Sequence, residues 1–112
     1  MSEQKTCLDQ AERAFKTWPD QQHLTMTNHY DPVEKVCYME VTTRMTTGKV
    51  MDYGHQIVDA FEGRGYASFV SWGPPDTIVE CYVQPRGQAK IECHSSDEFN
   101  ALALKYFGTT QD

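Results

Sequence analysis

The stretch Phe61-Glu-Gly-Arg-Gly-Tyr-Ala-Ser-Phe-Val-Ser-Trp72 sets an arginine between two glycines and follows them with aromatic residues. Its reading decides the fold. A glycine loop that holds a phosphate leads from a strand into a helix. A hairpin turn joins two strands, and glycine supplies the positive φ that a tight turn needs. After Gly65 the chain runs Tyr66-Ala67-Ser68-Phe69-Val70-Ser71-Trp72, rich in strand-favouring side chains. Glu62-Gly63-Arg64-Gly65 therefore reads as a hairpin turn and not as an anion loop.

Working outward, strands flank this turn on both sides. Val50–Glu62 precedes it, with its strand surest at Gln56–Phe61. Before that, KVCYMEVTT at Lys35–Thr43 alternates Cys37, Met39 and Val41 with Tyr38, Glu40 and Thr42, the pattern of a half-buried strand. Thr46-Thr47-Gly48 reads as a turn. Asp31-Pro32-Val33-Glu34 puts proline where a type I turn favours it, after a strand over His23–Tyr30. On the other side, Gly73-Pro74-Pro75-Asp76 ends the Tyr66–Trp72 strand. Thr77–Gln84 and Ala89–His94 form a further hairpin around Pro85-Arg86-Gly87-Gln88.

Helices bracket the strands. From Thr6 to Trp18, Cys7, Leu8, Ala11, Ala14, Phe15 and Trp18 follow a helical stripe, with Thr6 as N-cap and Pro19 as the stop. At the other end Ser95 and Glu98 form a capping box. Phe99, Leu102, Ala103, Tyr106 and Phe107 make the stripe, and Gly108 occupies the C-terminal position. The tail Thr109–Asp112 reads as frayed. No helix separates the strands, so the sheet is expected to be antiparallel. The expectation is a single α+β domain over 1–112: an N-terminal helix, a five- to six-stranded antiparallel meander and a C-terminal helix, with both helices on one sheet face.

Composition narrows the function. The chain has 112 residues, 10 Lys and Arg against 16 Asp and Glu, and a net charge of −6. Its basic residues are scattered and form no stripe to neutralise phosphates, which argues against nucleic-acid binding. No apolar run reaches the length of a membrane span, and no signal segment is evident. No cofactor motif is present, so no cofactor is expected. His23, His29, His55 and His94 lack the spacing of metal ligands, so no metal is expected.

Four cysteines, Cys7, Cys37, Cys81 and Cys93, contain no C-x-x-C pair. Each falls in phase with apolar neighbours: Cys7 on the helical stripe, Cys37 with Met39 and Val41, Cys81 with Val79 and Val83, Cys93 with Ile91. All four therefore point to the core. Two readings stand. In one they are small buried thiols of a cytoplasmic protein. In the other they form two disulfides of an exported one, Cys81 with Cys93 across the hairpin and Cys7 with Cys37 between helix and sheet. The even count and the compatible faces favour the second.

The hairpin from His55 to Trp72 carries the polar cluster worth testing. A two-residue turn at Gly63-Arg64 sets Asp59 opposite Ser68 and His55 opposite Trp72. A Ser-His-Asp hydrolase reading is disfavoured by distance unless the strand is bulged, because four strand residues separate His55 from Asp59 by roughly 13 Å. Cys93 and His94 point to opposite faces and cannot pair. Exposed aromatics beside charge remain, so His55, Asp59, Arg64, Tyr66 and Trp72 are the candidate ligand or partner surface.

The segments Cys7…Ala11-Glu12-Arg13-Ala14-Phe15, Asn28-His29-Tyr30-Asp31, Lys35-Val36-Cys37-Tyr38, Asp59-Ala60-Phe61-Glu62-Gly63-Arg64 and Cys93-His94-Ser95-Ser96-Asp97-Glu98-Phe99 resemble those of small bacterial proteins of uncharacterised function, often exported or lipid-anchored. The resemblance implies export and disulfides but carries no catalytic residue. The expected role is a non-enzymatic binding or protein-interaction domain of the bacterial cell envelope, periplasmic or extracellular, with a cytoplasmic location as the alternative. The second functional reading is a small-molecule binder or enzyme with a pocket in the sheet concavity, lined by His55, Asp59, Tyr66 and Trp72. A homodimer joined through an edge strand is a third possibility, and the partner, protein or small molecule, stays open.

Overall fold

The computed structural model describes residues 3–19, 21–74 and 77–108. Helix α1 (Glu3–Phe15) leads through a 3-10 turn at Gln21–His23 into β1 (Leu24–Asp31), β2 (Val36–Thr47), β3 (Val50–Asp59), β4 (Gly65–Gly73), β5 (Thr77–Val83) and β6 (Ile91–Glu92). Helix α2 (Ser96–Phe107) follows. The strands make one antiparallel sheet in the order β1-β2-β3-β4-β5-β6, the meander expected of an α+β chain. Pro75, Asp76 and the tail Thr109–Asp112 lie outside the described residues.

Local chemistry sets most of the boundaries. Ser95 is extended, and its hydroxyl accepts from the Glu98 amide at 3.1 Å while the Glu98 carboxylate accepts from the His94 amide. Gly108 closes α2 in the left-handed region at φ 68°. Asp31 Oδ1 accepts from the Val33 and Glu34 amides, which fixes the first turn. Three boundaries differ from expectation. Helix α1 starts at Glu3, so Thr6 is inside it and is not its cap. The helix also gives way before Trp18: the Thr17 and Trp18 amides bond three residues back, and the Gln21 side chain covers the Phe15 and Trp18 carbonyls. Strand β2 runs on to Thr47, so the turn to β3 is Gly48-Lys49, with Gly48 at φ 63°.

The two helices do not share a sheet face. Neighbouring strand residues point to opposite faces, and β2 splits its side chains between two cores. Cys37, Met39 and Val41 join Cys7 and Ala11 of α1, whereas Val36 and Tyr38 join Phe99, Ala103 and Phe107 of α2. Helix α1 packs on β1 and β2 from one side, and α2 on β4 and β5 from the other. Alternation along β2 sets Tyr38 and Glu40 on the face away from α1, where exposure to solvent is the expectation. They are buried by a second helix instead.

Both disulfides are present, Cys7–Cys37 with a Cα separation of 5.3 Å and Cys81–Cys93 with 5.1 Å. Cys93 donates its amide to the Cys81 carbonyl, so the pair is directly cross-strand as expected, although β6 is only two residues long. Val79 does not share the inward phase of Cys81. A bulge between the Val70–Glu80 and Ser71–Ile78 pairs turns it to solvent.

Candidate functional site

Cross-strand partners share a face, so the register assigns each polar side chain to a side. Thr42 pairs with His55 and Glu40 with Ile57, all on the α2 side. Glu40 and Thr42 stand two residues apart on β2, and His55 on β3 reaches both. Its Nε2 lies 2.9 Å from Glu40 Oε1 and its Nδ1 3.3 Å from Thr42 Oγ1. Phe99 of α2 stands edge-on over the imidazole with ring centroids 5.6 Å apart. Glu40 is 5% and His55 3% exposed.

This row of carboxylate, imidazole and hydroxyl is satisfied in either charge state of the ring. With Nε2–H donating to Glu40, Nδ1 accepts from the Thr42 hydroxyl; a protonated Nδ1 donates to the same oxygen. The order of groups is that of an activated hydroxyl nucleophile. The Glu40–His55 half is sealed beneath α2, however, with Phe99 seated edge-on over the ring. A buried carboxylate is tolerable only when paired and hydrogen-bonded, and the pair defines one seating of Phe99 over the sheet.

The five sequence candidates do not converge. His55, Asp59 and Tyr66 are buried, while Arg64 is exposed. Asp59 Oδ1 accepts from the Phe61 and Glu62 amides at 2.8 and 3.0 Å, so its carboxylate shapes the turn. Tyr66 packs between Tyr38 and Phe107, with centroids 5.6 and 6.0 Å away. Burial lifts the Tyr66 hydroxyl above its ordinary pKa, with Asp59 adding to the rise; burial pushes Tyr38 up to about 12. Arg64 lies over the Tyr66 ring, 5.6 Å from its centroid.

The hairpin register explains the scatter. His55 faces Phe69 rather than Trp72, and Ser68 faces Gln56 rather than Asp59. The turn is longer than two residues: Asp59 and Arg64 close it through an amide-to-carbonyl bond of 2.8 Å, and Gly63 donates back to the Asp59 carbonyl. Tyr66 is then an extra residue between the Val58–Gly65 and Ile57–Ala67 pairs. The bulge is what turns Tyr66 into the α2 core. Trp72 pairs with Asp52 on the α1 side of the sheet, away from His55, so the concave pocket expected from His55, Asp59, Tyr66 and Trp72 does not form.

A different surface emerges around Trp72. Helix α1 lies on β1 and β2, with Val58 of β3 at the margin of its core, and on its side the far end of the sheet is open. Trp72 is 51%, Met51 53% and Val50 43% exposed, and Ile78 and Val79 are also exposed nearby. The pairs Met51–Gly73, Asp52–Trp72–Thr77 and Tyr53–Ser71–Ile78 are consecutive rows at one end of the sheet; Trp72 and Val50 stand on its α1 side, and Met51 and Ile78 on its α2 side. A groove of about 340 Å³ is lined by Val50, Trp72, Gly73, Pro74 and Thr77, and a second of about 380 Å³ adjoins it across Trp72 toward Met51 and Tyr53. Carboxylates flank it: Asp52 beside Trp72, and Glu80 beside Val70 on the same face. Sequence reasoning found Trp72 but missed Val50, Met51, Ile78 and the acidic pair. The available signal was the run Val50-Met51-Asp52, apolar side chains next to a two-residue turn.

Among the described residues no group of three or more His, Cys, Asp or Glu is arranged to hold a metal ion, and no helix is long and apolar enough to cross a membrane. Compared with known proteins, the chain matches no family model, no curated protein and no solved structure.

Proposed function

We propose that the chain is a non-enzymatic protein-binding domain of an oxidising compartment, the bacterial cell envelope, and that it takes its partner at the Trp72 end of the sheet. One observation carries this reading. On the α1 side Trp72 and Val50 are exposed beside one groove at the end of the sheet, and Met51 and Ile78 are exposed on the other face of the same end, where single scattered ones would need no explanation. Asp52 and Glu80 on the α1 side select a partner segment that offers a basic residue next to an apolar one. The chain's net charge of −6 favours the same sign of partner. Two disulfides support the compartment.

The test uses Trp72 as its own reporter. Trp18→Phe leaves Trp72 as the single indole of the chain. A panel of short peptides combining Arg or Lys with Leu, Ile or Phe is titrated against this variant, with acidic counterparts as controls. A saturable shift in Trp72 emission by the basic peptides, lost in Val50→Ser and Asp52→Asn, supports the reading. No response from any peptide, together with thermal stabilisation by a small metabolite, overturns it in favour of a ligand-binding role.

A further inference from the structure

We infer that the chain forms a two-fold homodimer by antiparallel pairing of β1 with β1 of a second copy. The sheet has two edges, and they differ. At one, β6 is two residues long and tied to β5 by Cys81–Cys93. At the other, β1 runs for eight residues, LTMTNHYD, in unbroken register with β2. Natural edge strands are guarded by lysine, proline or a bulge. Strand β1 has none of these. Among the described residues its backbone bonds only to β2, which leaves alternate N–H and C=O groups directed outward.

The strand is also complementary to itself. A two-fold axis normal to the sheet keeps each face on its own side, so residues pair with partners of the same face. Centring the axis on Thr27 sets Leu24 against Tyr30 and Met26 against Asn28 on the α1 side, and Thr25 against His29 on the other. Asp31, the only carboxylate of β1, falls outside this register, and no like charges meet. Partners other than a second copy are disfavoured by this fit between the strand and its own reverse.

Helix α1 supports the same geometry. It lies over β1 and β2 together, so two-fold copies of it stand about two strand spacings apart, roughly 9.6 Å. That is within the ~8–10 Å at which helices pack. Gln10 bonds to the Ala60 carbonyl on the β3 side. Leu8, on the opposite flank of the helix, therefore looks over the open edge, and it is 41% exposed. In the dimer the two Leu8 side chains meet across the axis.

Sedimentation of the oxidised full chain, whose mass is 12.8 kDa, is expected to give twice that mass. Thr27→Lys sets two ammonium groups opposite each other at the axis, and Leu8→Glu does the same with carboxylates. Thr27 is exposed in the single chain, so far-UV dichroism should be unchanged while Kd rises at least tenfold in each variant. Thr27→Cys oxidised with diamide should give a covalent dimer. Trp72→Ser, at the other end of the sheet, should leave the mass unchanged, which separates this inference from the partner surface above. A monomeric wild-type chain at millimolar concentration overturns the inference. So does a dimer that survives both charge variants and does not cross-link at residue 27.

Discussion

Removing Cys7–Cys37 should destabilise the chain more than removing Cys81–Cys93, and the sizes follow from the sequence separations. In the chain-entropy account a cross-link stabilises by restricting the unfolded state, with an entropy of about 2.1 + 1.5R ln n cal/mol/K for a loop of n residues. Cys7 and Cys37 are 30 apart, and Cys81 and Cys93 are 12 apart. The two bonds then contribute about 3.6 and about 2.8 kcal/mol at 25 °C. The perturbations are the paired variants Cys7→Ala with Cys37→Ala, and Cys81→Ala with Cys93→Ala. All four sulfurs are buried, so the loss of side-chain volume is similar in the two variants and the difference between them reports loop length. Urea unfolding gives both the stability and the slope m. The slope should rise in each variant because the unfolded chain opens further, and more so when the longer loop is released. Wild-type protein assayed without reductant should contain no reactive thiol. A loss of less than about 1 kcal/mol in both variants, or a clearly larger loss from the shorter loop, would refute the reasoning from chain entropy.

Three further outcomes are expected. His55→Leu leaves Glu40 buried without its imidazole partner and should cost about 3–5 kcal/mol in urea unfolding, whereas Glu40→Met with His55→Leu should recover most of that; additive losses would show that the pair is not coupled. Folded Tyr38 has its pKa raised to about 12, while an unfolded tyrosine ionises near 10, so the unfolded state releases its proton first. Its contribution is therefore full below about pH 10 and is lost as pH rises toward about 12; Tyr38→Phe should flatten that part of the profile, and an unchanged slope would count against burial as the cause. Ser95→Ala removes the α2 cap and should cost about 1 kcal/mol, and Gly108→Ala, at φ 68°, roughly 1–2 kcal/mol, both by urea unfolding.

The parts of the fold that sequence made legible are those written in local chemistry. Ser95, Glu98 and Gly108 mark α2 because capping is a contact within a single turn. Asp31-Pro32 and Gly63 mark hairpin turns because the backbone conformation there admits few residues. The pairing of Cys81 with Cys93 was legible because one turn fixes both positions. What remained hidden depended on residues remote in the chain. Alternation along β2 is real, yet it does not say whether the polar half is wet. Glu40 is buried because α2, more than 50 residues later, returns to cover it. The bulge at Tyr66 was invisible for a different reason. It comes from a longer turn held by the Asp59 carboxylate, and one residue more or fewer moves every later partner, His55 and Trp72 included.

The placement of the disulfides follows from the same two-sided design. Because α1 and α2 lie on opposite faces, the apolar side chains are divided between two cores. Among the described residues one gathers twelve buried side chains under α2, and the other six under α1. A small core stabilises weakly, and small domains commonly add covalent links when burial is insufficient. Here each layer has its own link: Cys7–Cys37 lies in the α1 core and Cys81–Cys93 in the α2 core. Both helices cover β2, one on each face, and α2 goes on to β4 and β5. The strip of sheet that neither covers ends at Trp72, and the strand beneath α1 ends the sheet with an open edge. Stapling each thin layer relieves the sheet of the need to be covered everywhere. Its exposed end and its open edge, on which the proposed partner site and dimer rest, are thereby left accessible.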